Sequence, residues 1–274
     1  MKYSRNPVPT FTVFKDSPRD PINGVGRLPA ALTINSITEY PVFRYTAGGG
    51  MATTAFWDPW GYGETLDIAG AGDLPTPNSG SPLMGPMDNA ILGVGAKYYE
   101  AAGALFADVT TEDIVLEVVL KMPTVVTAQS VLGKYSTTGW KLITLNNYLY
   151  LWHSDGTAAS PACLLAPGQW NHIIYFADRS GVTGVYVNGV YAATNTGMRS
   201  GSLTNAGKLR FLAADSGATT GCLAYAAMWK QASWLDTHLQ ATVAKKSYCA
   251  CRSRIFTYYF NNHIFRSDIS KGIT

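Results

Sequence analysis

One dipeptide constrains the fold of this chain more than any other feature. Asn188-Gly189 stands between Val185-Tyr186-Val187 and Val190-Tyr191-Ala192. A two-residue type I′ turn needs positive φ at both central residues, which Asn-Gly tolerates, and the flanking β-branched and aromatic residues favour strands. Upstream, residues 170–176 alternate with the period of a strand, and the turn residues 178–181 follow. The sequence therefore predicts three consecutive antiparallel strands.

A longer motif contains this hairpin. Gly168-Gln169-Trp170-Asn171-His172 opens a strand, a glycine-containing turn follows, and Val185-Tyr186-Val187-Asn188-Gly189 closes the motif. This order resembles the laminin G-like domains of the concanavalin A-like superfamily, over about residues 60 to 235. The resemblance implies a jelly-roll β-sandwich. It implies no single activity, because such folds carry many functions.

Other runs support an all-β fold. Residues 114–122 alternate, with Ile114, Leu116 and Val118 on one face. The runs 130–153, 208–212 and 221–229 also have strand patterns. In the resembled family, the last strand follows a glycine and returns beside the first. We therefore predict a concanavalin A-like jelly-roll β-sandwich.

A short helix is predicted near the C-terminus. Ser233 and Asp236 have the spacing of a capping-box variant, and apolar residues recur at helical spacing from Leu235 onward. The predicted helix runs from Leu235 to about Lys246. We divide the chain into an extended N-terminal arm (1–55), a laminin G-like jelly-roll domain (56–235), and a helix with a C-terminal arm (236–274).

The two arms are apolar and short of helix formers. Six prolines interrupt residues 1–55, and residues 40–45 are predicted to form an edge strand. Residues 255–260 read Ile-Phe-Thr-Tyr-Tyr-Phe, with high β propensity and neither charge nor proline. A segment of this kind aggregates if left open. We therefore expect it to pair with an edge of its own sheet or with a partner's.

Charge is sparse and unevenly distributed. Charged residues make up 14% of the chain, against roughly 25% in average domains. Residues 1–30 hold five Lys/Arg and two acids, and residues 245–274 hold six and one. Basic ends on an acidic body predict arms that reach neighbouring copies. Nucleic acid is the less favoured target, and solvated tails remain the plain alternative.

The sequence offers no signal peptide and no apolar run of about 18 residues, so we expect cytoplasmic synthesis and no membrane span.

Cys163 and Cys222 are predicted to be buried thiols. Cys249-Ala250-Cys251 is a weak metal signal that His238 and His263 would have to complete, and we assign no metal site.

The sequence shows no recognisable combination of catalytic residues. The superfamily includes glycosidases with paired carboxylates on one strand face. Glu112, Asp113 and Glu117 come nearest, but the Glu-x-Asp-x-Glu pattern is absent. We interpret Glu117 as a solvent-facing residue and His172 as structural. No enzyme is predicted, and a degraded glycosidase is a third hypothesis.

Candidate carbohydrate-binding residues lie on one predicted hairpin. Trp152, His153 and Asp155 stand at its exposed end, and Trp140 comes next. Aromatic rings offer stacking faces to sugars. The alternative is that Trp140 and Trp152 belong to the core.

No cofactor is assigned. Calcium binding by the turn residues Asp155, Asp178 and Asp215 is left as an open alternative, because some resembled domains bind calcium with loop carboxylates. Aspartate in a turn more often caps its own backbone.

Laminin G-like single-domain chains without secretion signals occur among bacteriophage virion proteins, and this chain resembles them. The leading hypothesis is a non-enzymatic virion structural protein: a capsid decoration, head-fibre or tail component that assembles through its arms. Its partners would be other copies of itself and other virion proteins. The alternative is a carbohydrate-binding module that attaches to host or surface glycans.

Overall fold

The computed structural model describes residues 32–34, 37–39, 41–46, 55–56, 66–69, 91–93, 98–101, 107–125, 127–153, 161–195, 201–213, 219–231 and 237–251. The early strands are β1 (Leu32–Ile34), β2 (Ile37–Glu39), β3 (Phe43–Thr46), β4 (Ala55–Phe56), β5 (Leu66–Ala69), β6 (Ile91–Gly93) and β7 (Tyr98–Ala101). The later elements are β8 (Ile114–Lys121), β9 (Gln129–Tyr135), β10 (Gly139–Leu145), β11 (Tyr148–His153), β12 (Cys163–Leu164), β13 (Trp170–Ala177), β14 (Thr183–Val187), β15 (Val190–Asn195), β16 (Leu209–Phe211), β17 (Gly221–Lys230) and helix α1 (Thr237–Cys251).

Two antiparallel sheets form a sandwich. The larger sheet has the order β12-β11-β10-β9-β16-β7-β5-β4. The smaller sheet has the order β15-β14-β13-β8-β17-β3, with β6 also pairing with β17. Strand β17 lies antiparallel to β8. The predicted all-β concanavalin A-like sandwich with one helix near the C-terminus is confirmed.

The alternation of β8 divides the interior into two apolar layers. Ile114, Leu116 and Val118 face the layer between the two sheets, which also holds Trp140 and Phe211. A second layer lies on the outer face of the smaller sheet: Val115, Val119, Ile174, Phe176 and Trp229 pack there with Val243 and Ala244 of α1. The helix therefore covers a sheet face that would otherwise expose apolar side chains to water.

The predicted hairpin is confirmed. Asn188 and Gly189 have φ of 52° and 76°, as a type I′ turn requires, and they join β14 to β15. Asn146 and Asn147 have φ of 51° and 62° and join β10 to β11. This second turn fixes the cross-strand register of the hairpin that carries the predicted carbohydrate-binding residues.

The helix differs from its predicted span. It begins at Thr237 and continues past Lys246 to Cys251. Ser247 and Tyr248 contact the sheet beneath, and those tertiary contacts extend the helix beyond its strongest helix formers. Cys249 is exposed on the helix. The predicted capping residues fall outside the described part.

Part of the predicted N-terminal arm belongs to the sandwich. Strand β3 pairs with β17 at the edge of the smaller sheet, and Phe43 is buried in the core between the sheets. The edge strand expected at residues 40–45 is confirmed.

The domain boundaries at 55 and 235 stay predictions, and the predicted strand 255–260 lies outside the described residues. Within the described residues, α1 falls short of the length and hydropathy of a membrane-crossing helix.

Candidate functional site

A buried carboxylate links the smaller sheet to α1. Glu117 on β8 is 1% exposed. Its Oε1 lies 2.6 Å from His172 Nε2 and accepts a hydrogen bond from Ser247 Oγ. Its Oε2 accepts a 3.0 Å hydrogen bond from the Tyr225 hydroxyl. The prediction that Glu117 faces solvent was wrong, because α1 covers the outer face of β8.

Opposing effects act on this carboxylate. Burial alone raises the pKa of Glu117, but a hydrogen bond and electrostatic interaction with His172, with the hydrogen bonds from the Ser247 and Tyr225 hydroxyls, bring it below its ordinary value. The His172 ring also packs against Tyr248, with centroids 5.7 Å apart. The cluster is closed to solvent, so Glu117 cannot reach a substrate in this structure. It joins α1 to the sheet.

Two carboxylates, Glu112 and Glu117, make the stability of the folded chain depend on pH. Burial works against ionisation of Glu112, but hydrogen bonds from the Thr110 hydroxyl and backbone, and the charge of Lys230, lower the pKa of Glu112 to about 2. The pKa of Glu117 is lowered too. The unfolded chain therefore binds more protons than the folded chain at acidic pH.

We expect the stability that these two carboxylates contribute to be fully present above pH 4.5, the ordinary glutamate pKa, and to fall as the pH drops toward about 2. Urea denaturation midpoints across this range measure the effect. The Glu117→Gln variant should show a shallower decline. A midpoint that rises on acidification would contradict the assignment.

A second polar cluster closes one end of the sandwich. Lys134 is 2% exposed and points inward from β9, where its Nζ contacts Asp108 Oδ1 and lies 2.8 Å from the Asn205 carbonyl oxygen. Arg179 donates to the carbonyl oxygens of Thr110, at 2.8 Å, and Gly201. These contacts hold the segments around residues 108 and 201–205 against the sheets.

Two predicted carbohydrate-binding residues point into this closed end. Trp140 is 0% exposed, and its Nε1 donates to the Ala107 carbonyl oxygen at 2.9 Å. His153 lies opposite Trp140 and is 1% exposed. Neither ring nitrogen of His153 has a hydrogen-bond partner among the described residues, and burial, with the charge of Arg179, lowers the pKa of His153 to about 4. Both side chains are therefore core residues, and neither can stack on a sugar.

Trp152 lies on the opposite face. Residues alternate along β11, so Tyr148, Tyr150 and Trp152 point outward from the larger sheet while Leu151 and His153 point inward. Trp152 is partly exposed and pairs across the hairpin with Lys141. Asp155, the remaining predicted residue, lies outside the described part.

A cation lies between two rings on this face. Lys141 Nζ lies 4.1 Å from the centroid of the Tyr135 ring and 5.9 Å from that of Trp152. Tyr148 is 39% exposed, and its ring centroid lies 6.3 Å from that of Tyr150. Strands β9, β10 and β11 therefore present an outward layer of aromatic rings around an ammonium group.

A charged group extends the layer across the sheet. Glu100 on β7 accepts from Lys208 Nζ at 2.5 Å and from Arg210 Nε at 3.1 Å. The Arg210 guanidinium lies 4.9 Å from the centroid of the Tyr98 ring. Arg210 pairs in register with Glu100 on one side and with Gly133 on the other.

The register places these groups in one row. Glu100, Arg210, Gly133, Lys141 and Trp152 are successive cross-strand partners on β7, β16, β9, β10 and β11. At about 4.8 Å per strand, four intervals span roughly 19 Å. Gly133 contributes no side chain to the row. A Cβ at this position would lie 2.5 Å from the Trp140 carbonyl oxygen, which leaves no room for one. We call the row, with Tyr98, Tyr135, Tyr148, Tyr150 and Lys208, the outer face.

The outer face fits an elongated polar ligand. Its rings offer apolar stacking surfaces, and its ammonium and guanidinium groups offer hydrogen-bond donors. The Glu100 carboxylate is 6% exposed and holds Lys208 and Arg210 in place. Sequence reasoning found Trp152 but missed Lys141 and Arg210. The turn at Asn146-Asn147 was the signal that could have identified Lys141, because this turn places Lys141 directly opposite Trp152.

Metal ligands do not cluster in the described ranges, where no three His, Cys, Asp or Glu side chains meet in a way that could hold an ion. Asp178 Oδ1 accepts hydrogen bonds from the backbone and hydroxyl of Ser180, at 2.9 Å each, and so caps its own turn. Asp155 and Asp215, the other residues considered for calcium, lie outside the described part.

Comparison with known proteins agrees with this architecture. The family model Laminin_G_3, described as the concanavalin A-like lectin/glucanases superfamily, matches residues 95–233. No curated protein sequence matches the chain significantly.

Several solved structures share the fold. Domain 4 of AbnA, a GH43 extracellular arabinanase from Geobacillus stearothermophilus in complex with arabinotriose, has a TM-score of 0.56 at 13% identity, covering 75% of this chain and 97% of that one. Trypanosoma rangeli sialidase has a TM-score of 0.52 at 14% identity, covering 78% of this chain and 33% of that one. The botulinum neurotoxin serotype D ligand-binding domain in complex with N-acetylneuraminic acid has a TM-score of 0.54 at 11% identity, covering 76% of this chain and 50% of that one. At these identities the similarity establishes the fold alone.

Proposed function

The chain belongs to the concanavalin A-like lectin/glucanases superfamily, and from that membership we propose that it binds carbohydrate through its outer face. The observation that carries the proposal is the partly exposed Trp152 ring beside Lys141 and Tyr135. The arabinanase domain with arabinotriose and the neurotoxin domain with N-acetylneuraminic acid support it, since both have this fold and hold a sugar.

The chemistry of a sugar explains the fit. One side of a pyranose or furanose ring is covered by C–H groups that pack on an aromatic face, while its hydroxyls accept from cations and donate to carboxylates. The outer face supplies rings near Trp152 and Tyr148, and charged groups at Lys141 and Arg210. Its length of roughly 19 Å, from the strand spacing, suits a chain of several sugars better than one.

Replacing Trp152 by alanine is expected to weaken glycan binding at least tenfold, which corresponds to about 1.4 kcal/mol. The side chain is partly exposed, so its removal should leave the fold intact. A glycan array with purified wild type and Trp152→Ala identifies a ligand, and titration of the best ligand measures the change.

Val190→Ala is the matched control. Val190 is a large apolar residue, 68% exposed, on β15 of the smaller sheet, and its loss should leave binding unchanged. Saturable binding that is equally strong in wild type and Trp152→Ala would exclude the outer face as the site.

A structural role in a bacteriophage virion is the second candidate. Strand β3, from the predicted N-terminal arm, already completes an edge of the smaller sheet. This favours arms that act by adding strands, and the same mechanism would join neighbouring subunits. In this proposal the protein is a capsid decoration, head-fibre or tail component, without enzymatic activity. Light scattering of the full chain at high concentration tests it, and a protein that stays monomeric would count against it.

A further inference from the structure

Two neighbouring residues at the end of β11 lie in opposite environments. Trp152 points outward and is partly exposed on the outer face, opposite Lys141. His153, the last residue of the strand, points inward and is 1% exposed. Because successive side chains of a strand alternate between its faces, one peptide unit joins a surface ring to a buried histidine. A displacement of His153 is therefore passed directly to Trp152.

The interior offers the His153 ring no hydrogen bond. Neither ring nitrogen has a partner among the described residues. Leu149 and Leu151 share its face of β11, and Trp140 lies across the hairpin with its Nε1 donated to the Ala107 carbonyl oxygen. A neutral imidazole needs one donor and one acceptor, whereas an imidazolium brings two donors and a buried charge. Protonation therefore makes this position much less favourable.

The charged groups at this end of the sandwich do not compensate for a charge on His153. Arg179, in the turn after β13, acts on His153 electrostatically and disfavours its protonation. The carboxylates of this end have other partners: Asp108 contacts Lys134, Glu112 accepts from the Thr110 hydroxyl and lies 3.7 Å from Lys230 Nζ, and Asp113 accepts from the Arg179 backbone. In the described ranges, no carboxylate is bonded to the His153 ring.

The position of His153 consequently depends on pH. Burial, and then the charge of Arg179, lower the pKa of His153 from its ordinary value of 6.5 to about 4. A ring released to solvent keeps the ordinary value, so the buried position is fully favoured above pH 6.5 and is lost as the pH falls toward 4. Between pH 7 and pH 5, the ratio of buried to released ring falls by roughly 20-fold.

Release of the ring does not require the sandwich to unfold. His153 ends β11, and its cross-strand partner Trp140 is the second residue of β10. The ends of secondary-structure elements open at small free-energy cost, while the core stays folded. Leu149 and Leu151 continue to hold the hairpin in the core.

We propose that acidification from pH 7 to pH 5 releases the His153 ring from the interior and displaces Trp152 from its place opposite Lys141, which weakens carbohydrate binding by the outer face. This inference rests on the proposed carbohydrate-binding function. The proton is taken up on the core side of β11, and its effect is felt on the outer face.

A fluorine NMR titration without ligand tests the displacement. The chain is labelled with 5-fluorotryptophan, and the Trp152→Phe variant identifies the Trp152 resonance. This resonance should titrate in the wild type with a midpoint between about pH 4 and pH 6.5. It should not titrate in His153→Leu, which places an apolar side chain of similar size beside Leu149 and Leu151. His153→Gln, polar and uncharged, is the second variant if His153→Leu does not fold.

His238→Gln is the matched control. His238 is exposed on α1, which covers the smaller sheet and not the outer face. Its loss should leave the titration of Trp152 unchanged.

A glycan array that is probed at pH 7 and at pH 5 tests the consequence for binding. Signals on glycans without groups that titrate in this range should fall at least threefold in the wild type and in His238→Gln. They should stay constant in His153→Leu. Far-UV circular dichroism of the wild type should show intact sheets at pH 5.

Three outcomes overturn the inference. The first is a Trp152 resonance that keeps its position from pH 7 to pH 4, the second is a titration that persists in His153→Leu, and the third is global unfolding of the wild type at pH 5.

The inference and the proposed function fail separately. Binding at pH 7 that Trp152→Ala removes but that is equally strong at pH 5 overturns the inference alone. A Trp152 resonance that titrates through His153, in a chain that binds no glycan at pH 7, supports the release and excludes the proposed function.

Discussion

Glu117→Ala is expected to lower the free energy of unfolding by about 3–5 kcal/mol, because three buried groups lose their acceptor at a cost of about 1–3 kcal/mol each. The substitution leaves the His172 ring, the Tyr225 hydroxyl and the Ser247 hydroxyl without their shared acceptor. These groups come from β13, β17 and α1, so the loss loosens the helix from the sheet. Urea denaturation followed by far-UV circular dichroism measures the change.

A double-mutant cycle provides the control. His172→Ala alone should also be strongly destabilising, because it leaves the buried Glu117 carboxylate without the His172 ring as a partner. The double variant Glu117→Ala/His172→Ala should lose less than the sum of the two single losses, since both remove the same interaction. A loss below about 1 kcal/mol for Glu117→Ala would match the solvent-facing side chain that the sequence suggested, and would contradict this structure.

Asp108→Ala is expected to cost about 3 kcal/mol, at the lower end of the range for breaking a buried pair. The Lys134 side chain is 2% exposed, and within the described ranges its ammonium group would keep only the Asn205 carbonyl oxygen as a partner. Lys134→Met should cost less, because it replaces the buried cation with an apolar side chain of similar length, and Asp108 is 13% exposed and still accepts from the Asn205 backbone.

The order of these two variants is the test. Thermal unfolding at neutral pH should rank wild type above Lys134→Met, and Lys134→Met above Asp108→Ala. The reverse order would mean that the carboxylate, rather than the ammonium group, carries the larger desolvation cost.

The local patterns of the sequence predicted the sheets well and the surfaces less well. Alternation in β8 correctly separated Leu116 from Glu117. Alternation cannot show whether the second face meets water, because that depends on α1, more than a hundred residues later in the chain. Glu117 was therefore placed on the correct face and assigned the wrong environment.

The carbohydrate-binding residues show a signal that was present but unused. Trp152 and His153 are neighbours on one strand, so they cannot face the same side. His153 shares its face with Leu149 and Leu151, which marks it as a core residue, and the turn at Asn146-Asn147 places Trp140 opposite it. Strand parity and hairpin register together would have kept Trp152 and excluded His153 and Trp140.

Arg210 could not have been found in this way. It joins the outer face only because β16 inserts between β7 and β9, which come from distant parts of the chain. No local pattern specifies that pairing. The contacts of Lys134 could not be predicted from a local pattern either. This residue points into the closed end of the sandwich, where its partner Asn205 comes from a distant part of the chain.

Hydroxyl-radical footprinting with the best glycan ligand tests whether the outer face is the binding site. If it is, bound ligand slows oxidation of Tyr135, Tyr148 and Trp152. Oxidation of Tyr191, on the far edge of the smaller sheet and 54% exposed, should not change. Saturating ligand that protects Tyr191 and leaves Trp152 as reactive as before would place the binding site elsewhere and contradict the account.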